Sequence, residues 1–411
     1  MMCTFSGIVA LLTLISLHSD PRSLSNSDEN SNILLIQDWI DDCRLNHTSC
    51  NNVTRKFLPT RLLDLEVFDE RRFRGFEDDI KLVCSHQFQG VGSVPHYITL
   101  SHCWGPPEKR PVTTTLANRA LRMEIIAFSD LPRTFQDAII LTRKLGQRYL
   151  WIDSLCIIQD DEEDWANEAS MMSEVYKHSW CTLAALSSAD STEGLRLSGK
   201  HDAKDQFIMD LAVNDGHNGL FNVRLSDGGP ESWQREYDGF VNSSYDTEHC
   251  MNLSPLRYRA WGLQEKDLST RSVHFGCRQL LWQCCELKGA SHLPWRTITS
   301  YKDRLDSDAE REWAESQPGN SAIYYRMKFR WFKLSEEYSD RSLTNETDKL
   351  PALSGIAQLF QKHFPNDEYI PGIWSSHLLL ALLWQPSCNG IGRRTTEYIA
   401  PSWSWAPSHA K

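Results

Sequence analysis

Tyr149-Leu-Trp-Ile-Asp-Ser-Leu-Cys-Ile-Ile-Gln-Asp160 is the stretch that decides how this chain is read. Tyr149 to Ile152 is a short apolar run that stops abruptly at Asp153-Ser154, the pattern of a buried strand with polar residues at its end. Working upstream, Thr134 to Leu145 carries apolar residues at Phe135, Ala138, Ile139 and Leu145. Pro132 sits near its start and Gly146 just past its end, which is helix punctuation. Before it, Tyr97-Ile-Thr-Leu100 is a second short strand. Downstream, Asp164 is placed to cap a helix running to about His178, with Trp165, Ala169, Met172 and Tyr176 on one stripe. Cys181 to Leu186 is a third strand. Strand, helix, strand, helix, strand predicts an α/β fold with a parallel sheet and right-handed crossovers.

Four regions surround this pattern. Residues 1–30 are an apolar N-terminus and linker, and residues 31–90 an approach region opening with a helix over Asn32 to Cys43. Residues 91–290 hold the α/β pattern, interrupted near 196–256 by a Gly-, Asp-, Asn- and Ser-rich insertion. Within them Trp261 to Leu268 reads as a helix, and Ser272 to Phe275 with Leu280 to Cys284 as a hairpin around Gly276. Residues 291–411 form a helical, Trp-rich C-terminal region with helices at Met327 to Tyr338 and Ala352 to His363, after an acidic irregular stretch at 302–320.

The totals narrow the function classes. A hydrophobic fraction of 41% and a charged fraction of 24% are those of an ordinary globular chain. The formal net charge is -11 and no Lys/Arg run exceeds three residues, which disfavours nucleic acid as a partner. The 15 Trp read as a dense aromatic core. The 12 Cys are even in number. However, Cys103, Cys156, Cys181 and Cys284 lie in apolar segments, where free thiols behave as small hydrophobes, so a reducing, cytoplasmic setting is expected. Secretion is the competing reading. It rests on the apolar run Gly7 to Leu17, too short to span a membrane, and on sequons at Asn46, Asn52, Asn242, Asn252 and Asn345.

In an open parallel sheet, ligands collect at the carboxyl ends of the strands. Here those ends are Ser101 to Gly105, Asp153-Ser154 and Ser187-Ser188. Asp153 and Glu168 are the candidate catalytic carboxylates, as general bases or as partners for a ribose hydroxyl or a cation. The competing reading of the acidic run at 160–164 is a helix start that suits its positive end.

The motifs then resemble a known family. Tyr97-Ile-Thr-Leu-Ser-His-Cys-Trp-Gly105 is similar to the opening block of fungal heterokaryon-incompatibility (HET) domains, with His102 where Tyr is usual. Leu131 to Ile139 and Tyr149 to Asp160 resemble the central block. Asp164-Trp165, Glu168, Tyr176 and Thr182 to Ala185 continue it. Arg259-Ala-Trp-Gly-Leu-Gln-Glu265 resembles a later block, with Ala260 and Gly262 as departures. Segments to Ser402-Trp-Ser-Trp405 look like those that follow the domain, and relatives usually continue beyond them, which suggests a truncated chain or one lacking its C-terminal region. The resemblance marks Ser101, His102, Trp104, Gly105, Asp153, Gln159, Asp160, Trp165, Arg259, Trp261, Gln264 and Glu265 as motif or pocket residues.

The family implies fungal non-self recognition leading to programmed cell death, through a signalling module whose partners are proteins, itself or incompatibility partners. HET domains also look remotely similar to Toll/interleukin-receptor (TIR) domains, some of which cleave NAD with a Glu. A TIR-like parallel-sheet core is therefore expected, and NAD is a candidate substrate in a hydrolase alternative using Asp153 or Glu168. Glu193 is the nearest match to the TIR glutamate, without the Trp-Cys pair that normally precedes it.

Three other patterns are read as structural. Gly194 to His201 resembles a P-loop, but His201 stands where Ser/Thr should reach Mg²⁺. Cys43, His47 and Cys50, with Cys84 as a fourth, have ligand-like types without the spacing of a standard zinc module, and read as a packed helix end with no metal. Cys156, between Leu155 and Ile157, reads as an inert core thiol.

Overall fold

The computed structural model describes residues 29–51, 57–66, 78–88, 94–195, 206–209, 221–224, 251, 254–276, 279–291, 321–363, 366–385 and 393–409. Its centre is an eight-stranded sheet in the order β10-β9-β8-β5-β3-β4-β1-β2. The strands are β1 (Arg61–Asp64), β2 (Lys81–Cys84), β3 (Tyr97–Ser101), β4 (Tyr149–Ile152), β5 (Cys181–Ala184), β8 (Arg271–Phe275), β9 (Leu280–Cys284) and β10 (Lys288–Ala290). β6 (Gln206–Met209) and β7 (Phe221–Arg224) pair separately. The four central strands, β8, β5, β3 and β4, are mutually parallel. Antiparallel pairs flank them, β1–β2 on one side and β9–β10 on the other.

The expected strand–helix alternation is present. α1 (Glu29–Asn46) precedes the sheet, α2 (Arg133–Lys144) joins β3 to β4, and α3 (Glu162–His178) joins β4 to β5. α2 starts after Pro132, and Gly146 closes it at φ +69°, its N–H bonding back to Arg143 O. A left-handed residue there suits glycine. The cap of α3 is a correction. Asp161, not Asp164, accepts from the backbone of Glu163 and Asp164, both at 3.1 Å. Asp164 is instead taken by Arg61 at 2.6 Å and by the Ile158 N–H at 2.8 Å.

Beyond the insertion, α4 (Ala260–Leu268) leads into β8, and the expected hairpin β8–β9 forms with Arg271 opposite Cys284. α5 (Ser321–Ser339) and α6 (Pro351–His363) follow, and α6 packs on α3 and α4. One apolar core runs from Ile33 in α1 to Ala406 and draws on helices α1 to α6 and on β1 to β5, β8 and β9. Trp331 sits in that core edge-on to Phe360, Tyr369 and Trp374, with centroids 4.9–5.6 Å apart. The N-terminal apolar run, the sequons at Asn52, Asn242 and Asn252, and 302–320 lie outside the described residues. No helix among the described residues is long and apolar enough to cross a membrane.

Candidate functional site

β3, β4 and the start of α4 bring three of the quoted blocks to one point. Asp153 follows β4 directly and is buried. Its Oδ1 accepts the Ser154 N–H at 2.7 Å, while Oδ2 accepts the Trp104 indole N–H at 2.9 Å and an Arg259 Nη2 at 2.5 Å. The other Arg259 Nη lies 2.5 Å from Glu265 Oε1. Glu265 is 0% exposed, and its second oxygen accepts the Ser101 hydroxyl. One guanidinium thus clamps two buried carboxylates from β4 and α4. A guanidinium suits this role because its planar fork presents a separate, fixed nitrogen to each carboxylate, whereas an ammonium offers both from one nitrogen.

The electrostatics follow from that clamp. Burial opposes ionisation of Asp153, but Arg259, His102 and the hydrogen bonds outweigh it and hold its carboxyl below the usual range. For Glu265 burial wins over Arg259, and its carboxyl is pushed up. Both oxygens of Asp153 therefore accept hydrogen bonds from the protein.

Each remaining motif residue has a structural place. Gly105 adopts φ +76°, and a Cβ there would lie 2.6 Å from Asp190 Cβ, so glycine is required. Gln159 donates to Asp153 O and Ile157 O, and exposed Asp160 accepts the Leu116 N–H at 2.8 Å. Trp165 meets Trp261 edge-on at 6.5 Å, and the Trp261 indole reaches Asp348 at 3.4 Å. Gln264 Oε1 accepts the Gly355 N–H of α6 at 3.0 Å.

Glu168 does not join Asp153 in this network. It is 2% exposed and lies 3.5 Å from Arg61 of β1, which also binds Asp164 and donates to Cys156 O. Burial raises its carboxyl against the pull of Thr60 and Arg61. Arg61 is a site residue that sequence reading passed over, because a lone Arg before Leu62-Leu63 carries no signal of acidic partners as distant in sequence as Asp164 and Glu168. Cys156 is fully buried with its thiol pushed up to about 12 by burial, in keeping with an inert core residue. Glu193 is exposed. Of the P-loop-like run only Gly194 and Leu195 are described, and they pack on Asp137, whose Oδ2 accepts the Leu195 N–H at 2.9 Å.

Among the described residues, the ends of β3 and β4 and the start of α4 are therefore joined by one hydrogen-bonded network. Residues 97–265 match the family model described as heterokaryon incompatibility protein (HET). The match opens on the first residue of β3 and closes on the carboxylate that Arg259 clamps. No curated protein and no solved structure matches the chain. Beside the Arg259 clamp, Ser101, Ala184 and His274 at the ends of β3, β5 and β8 line a cavity of about 40 Å³ under Gly262 and Lys266 of α4. That is room for roughly two or three waters, well short of the few hundred Å³ of a drug-sized ligand site.

His102 gives the matched segment an acid-sensitive point. It is 1% exposed, edge-on to Phe135 at 5.0 Å, and neither ring nitrogen has a hydrogen-bond partner among the described residues. Burial lowers its pKa to about 4, partly offset by Asp153 at 3.8 Å. Between about pH 4 and 6.5 the unfolded chain binds this proton and the folded chain does not, so stability rises with pH across that window, by up to about 3 kcal/mol. Glu265 acts in the opposite sense, because its charged form is the costly one in the fold. Comparing urea unfolding of the wild type and His102→Phe at several pH values isolates the histidine. The expected result is a shallower loss of stability on acidification in the variant, and parallel curves would contradict it.

Proposed function

We propose that this chain is a heterokaryon-incompatibility effector: a cytoplasmic signalling module of fungal non-self recognition that causes programmed cell death by assembling with itself or with other proteins. The observation that carries this reading is the Arg259 clamp. It occupies Asp153 and Glu265, and Glu168 is likewise buried against Arg61, an arrangement that suits a structural role for both candidate catalytic carboxylates. The competing reading, TIR-like hydrolysis of NAD or a nucleotide, needs a carboxylate that reaches its substrate. Contact with proteins also suits the exposed Leu379, Leu380, Leu382 and Leu383, which lie together in and just after a one-turn helix.

The test is induced expression in a fungal host, following growth, cellular NAD and the size of the species that contains the chain. The expected outcome is growth arrest with NAD maintained and the chain in species larger than a monomer. A fall in NAD before growth stops, or arrest with the chain monomeric, would contradict the proposal.

A further inference from the structure

A second cluster lies at the opposite side of the sheet from β1 and β2. Cys43 and His47 sit one turn apart at the end of α1, where the His47 N–H donates to Cys43 O at 3.2 Å. Cys50 follows in the one-turn helix Thr48–Asn51, and Cys284 is the last residue of β9, 237 positions from His47. The Sγ atoms of the three cysteines and a ring nitrogen of His47 all lie within 4.8 Å of one another. Cys84, the fourth partner suggested by the sequence, is instead in β2 at the far edge of the sheet.

We propose that Cys43, His47, Cys50 and Cys284 bind one structural Zn²⁺. Three sulfurs and one imidazole are a donor set that zinc takes in closed, four-coordinate sites. A tetrahedron with zinc's bond lengths has ligand–ligand edges of roughly 3.3–3.8 Å. The Cys284 Sγ to His47 Nδ1 separation is already 3.3 Å. The surrounding groups match as well. With Nδ1 toward the thiols, His47 turns Nε2 to the side of Asp42, whose carboxylate lies 3.8 Å away, beyond direct hydrogen-bond reach but in the direction of the second-nitrogen partner that ligating histidines have. The Leu287 N–H lies 3.3 Å from Cys284 Sγ.

Charge supplies an independent argument. Three thiolates and a neutral imidazole around Zn²⁺ carry a net charge of about −1, which is costly in a buried place. Arg271 is 1% exposed and donates through Nε to Cys43 Sγ at 3.1 Å, and through Nη2 to Cys50 O and Asn51 Oδ1. Its guanidinium is the counter-charge such a site needs. The metal fastens α1 to β9, where Trp39 already stacks on Trp282 at 6.1 Å.

The experiment uses the full chain, purified under reducing conditions from zinc-supplemented medium, with bound metal measured by mass spectrometry. About one zinc per chain is expected, lost in Cys43→Ser and Cys284→Ser and retained in Cys84→Ser, a buried cysteine at the other sheet edge. Because the ligand variants can fail to fold, the wild type is also exchanged with Co²⁺. The expected spectrum is that of tetrahedral cobalt with thiolate charge-transfer bands, abolished by one equivalent of zinc. Zinc far below one per chain, a disulfide among these cysteines in the reduced preparation, or a six-coordinate cobalt spectrum would overturn the proposal.

Discussion

Arg259→Ala is expected to lower the stability of the chain by about 3–5 kcal/mol, measured by urea unfolding, and to reduce soluble yield sharply. The cost is that of leaving buried carboxylates without their cation. Asp153 would keep the Trp104 and Ser154 donors, but Glu265 would keep only hydroxyl partners in a fully buried place. A loss of that size is a large fraction of the ~5–15 kcal/mol that holds a typical domain together. Arg259→Lys should recover part of it, since a lysine restores the charge but cannot present two fixed nitrogens to two carboxylates. Adding Glu265→Gln to Arg259→Ala should also recover stability, by removing the uncompensated charge. If Arg259→Ala unfolds at the wild-type urea concentration, the clamp is not what holds these strand ends.

Gly355→Ala is the second large expected effect, and its sign runs against helix propensity. Alanine in a helix is ordinarily favoured over glycine by about 1 kcal/mol. At Gly355 the added Cβ would lie 2.5 Å from Ser173 Cβ of α3 and 2.7 Å from Gln264 Oε1 of α4. Neither neighbour can step aside cheaply, because Gln264 Oε1 accepts the Gly355 N–H itself and Ser173 is buried. Overpacking and the strained hydrogen bond together should cost about 2–4 kcal/mol. Ser173→Gly in the same chain should recover a measurable part, as expected for residues in contact. A Gly355→Ala protein as stable as wild type would mean that α6 is not held this closely against α3 and α4.

Much of the parallel sheet was legible because its strands are short apolar runs bounded by Pro, Gly and acidic residues. Tyr97 to Leu100, Tyr149 to Ile152 and Cys181 onward are strands as read, and the helices between them begin and end within a few residues of expectation. β1 and β2 were not legible. Each is four residues long and has no periodicity of its own, and pairing decides their state. The parallel union of β8 with β5 was hidden by the long stretch of sequence that separates them.

The site was legible as a set of residues but not as an arrangement. Ser101, Trp104, Asp153, Arg259 and Glu265 were all marked, yet nothing in their spacing shows that one guanidinium spans two carboxylates across 106 positions. Glu168 illustrates the reverse. Its place one turn into α3 suggested company for Asp153, but Arg61 draws it to the β1 side. The same competition explains the cap of α3, since Asp164 is bound to Arg61 and leaves the role to Asp161. The thiol cluster needed Cys284, which in sequence is an apolar strand's last residue and gives no hint of α1.

The measurement that bears most directly on the account is a double-mutant cycle on folding stability between Asp153→Asn and Arg259→Ala. The clamp predicts that Asp153→Asn destabilises the wild type and costs much less, or nothing, once Arg259 is gone, a coupling of about 2 kcal/mol or more. A carboxylate kept for catalysis at the expense of stability behaves differently, and its replacement typically leaves the protein as stable or more so. Asp153→Asn at or above wild-type stability would therefore contradict the reading of these strand ends as a brace and reopen them as an active site.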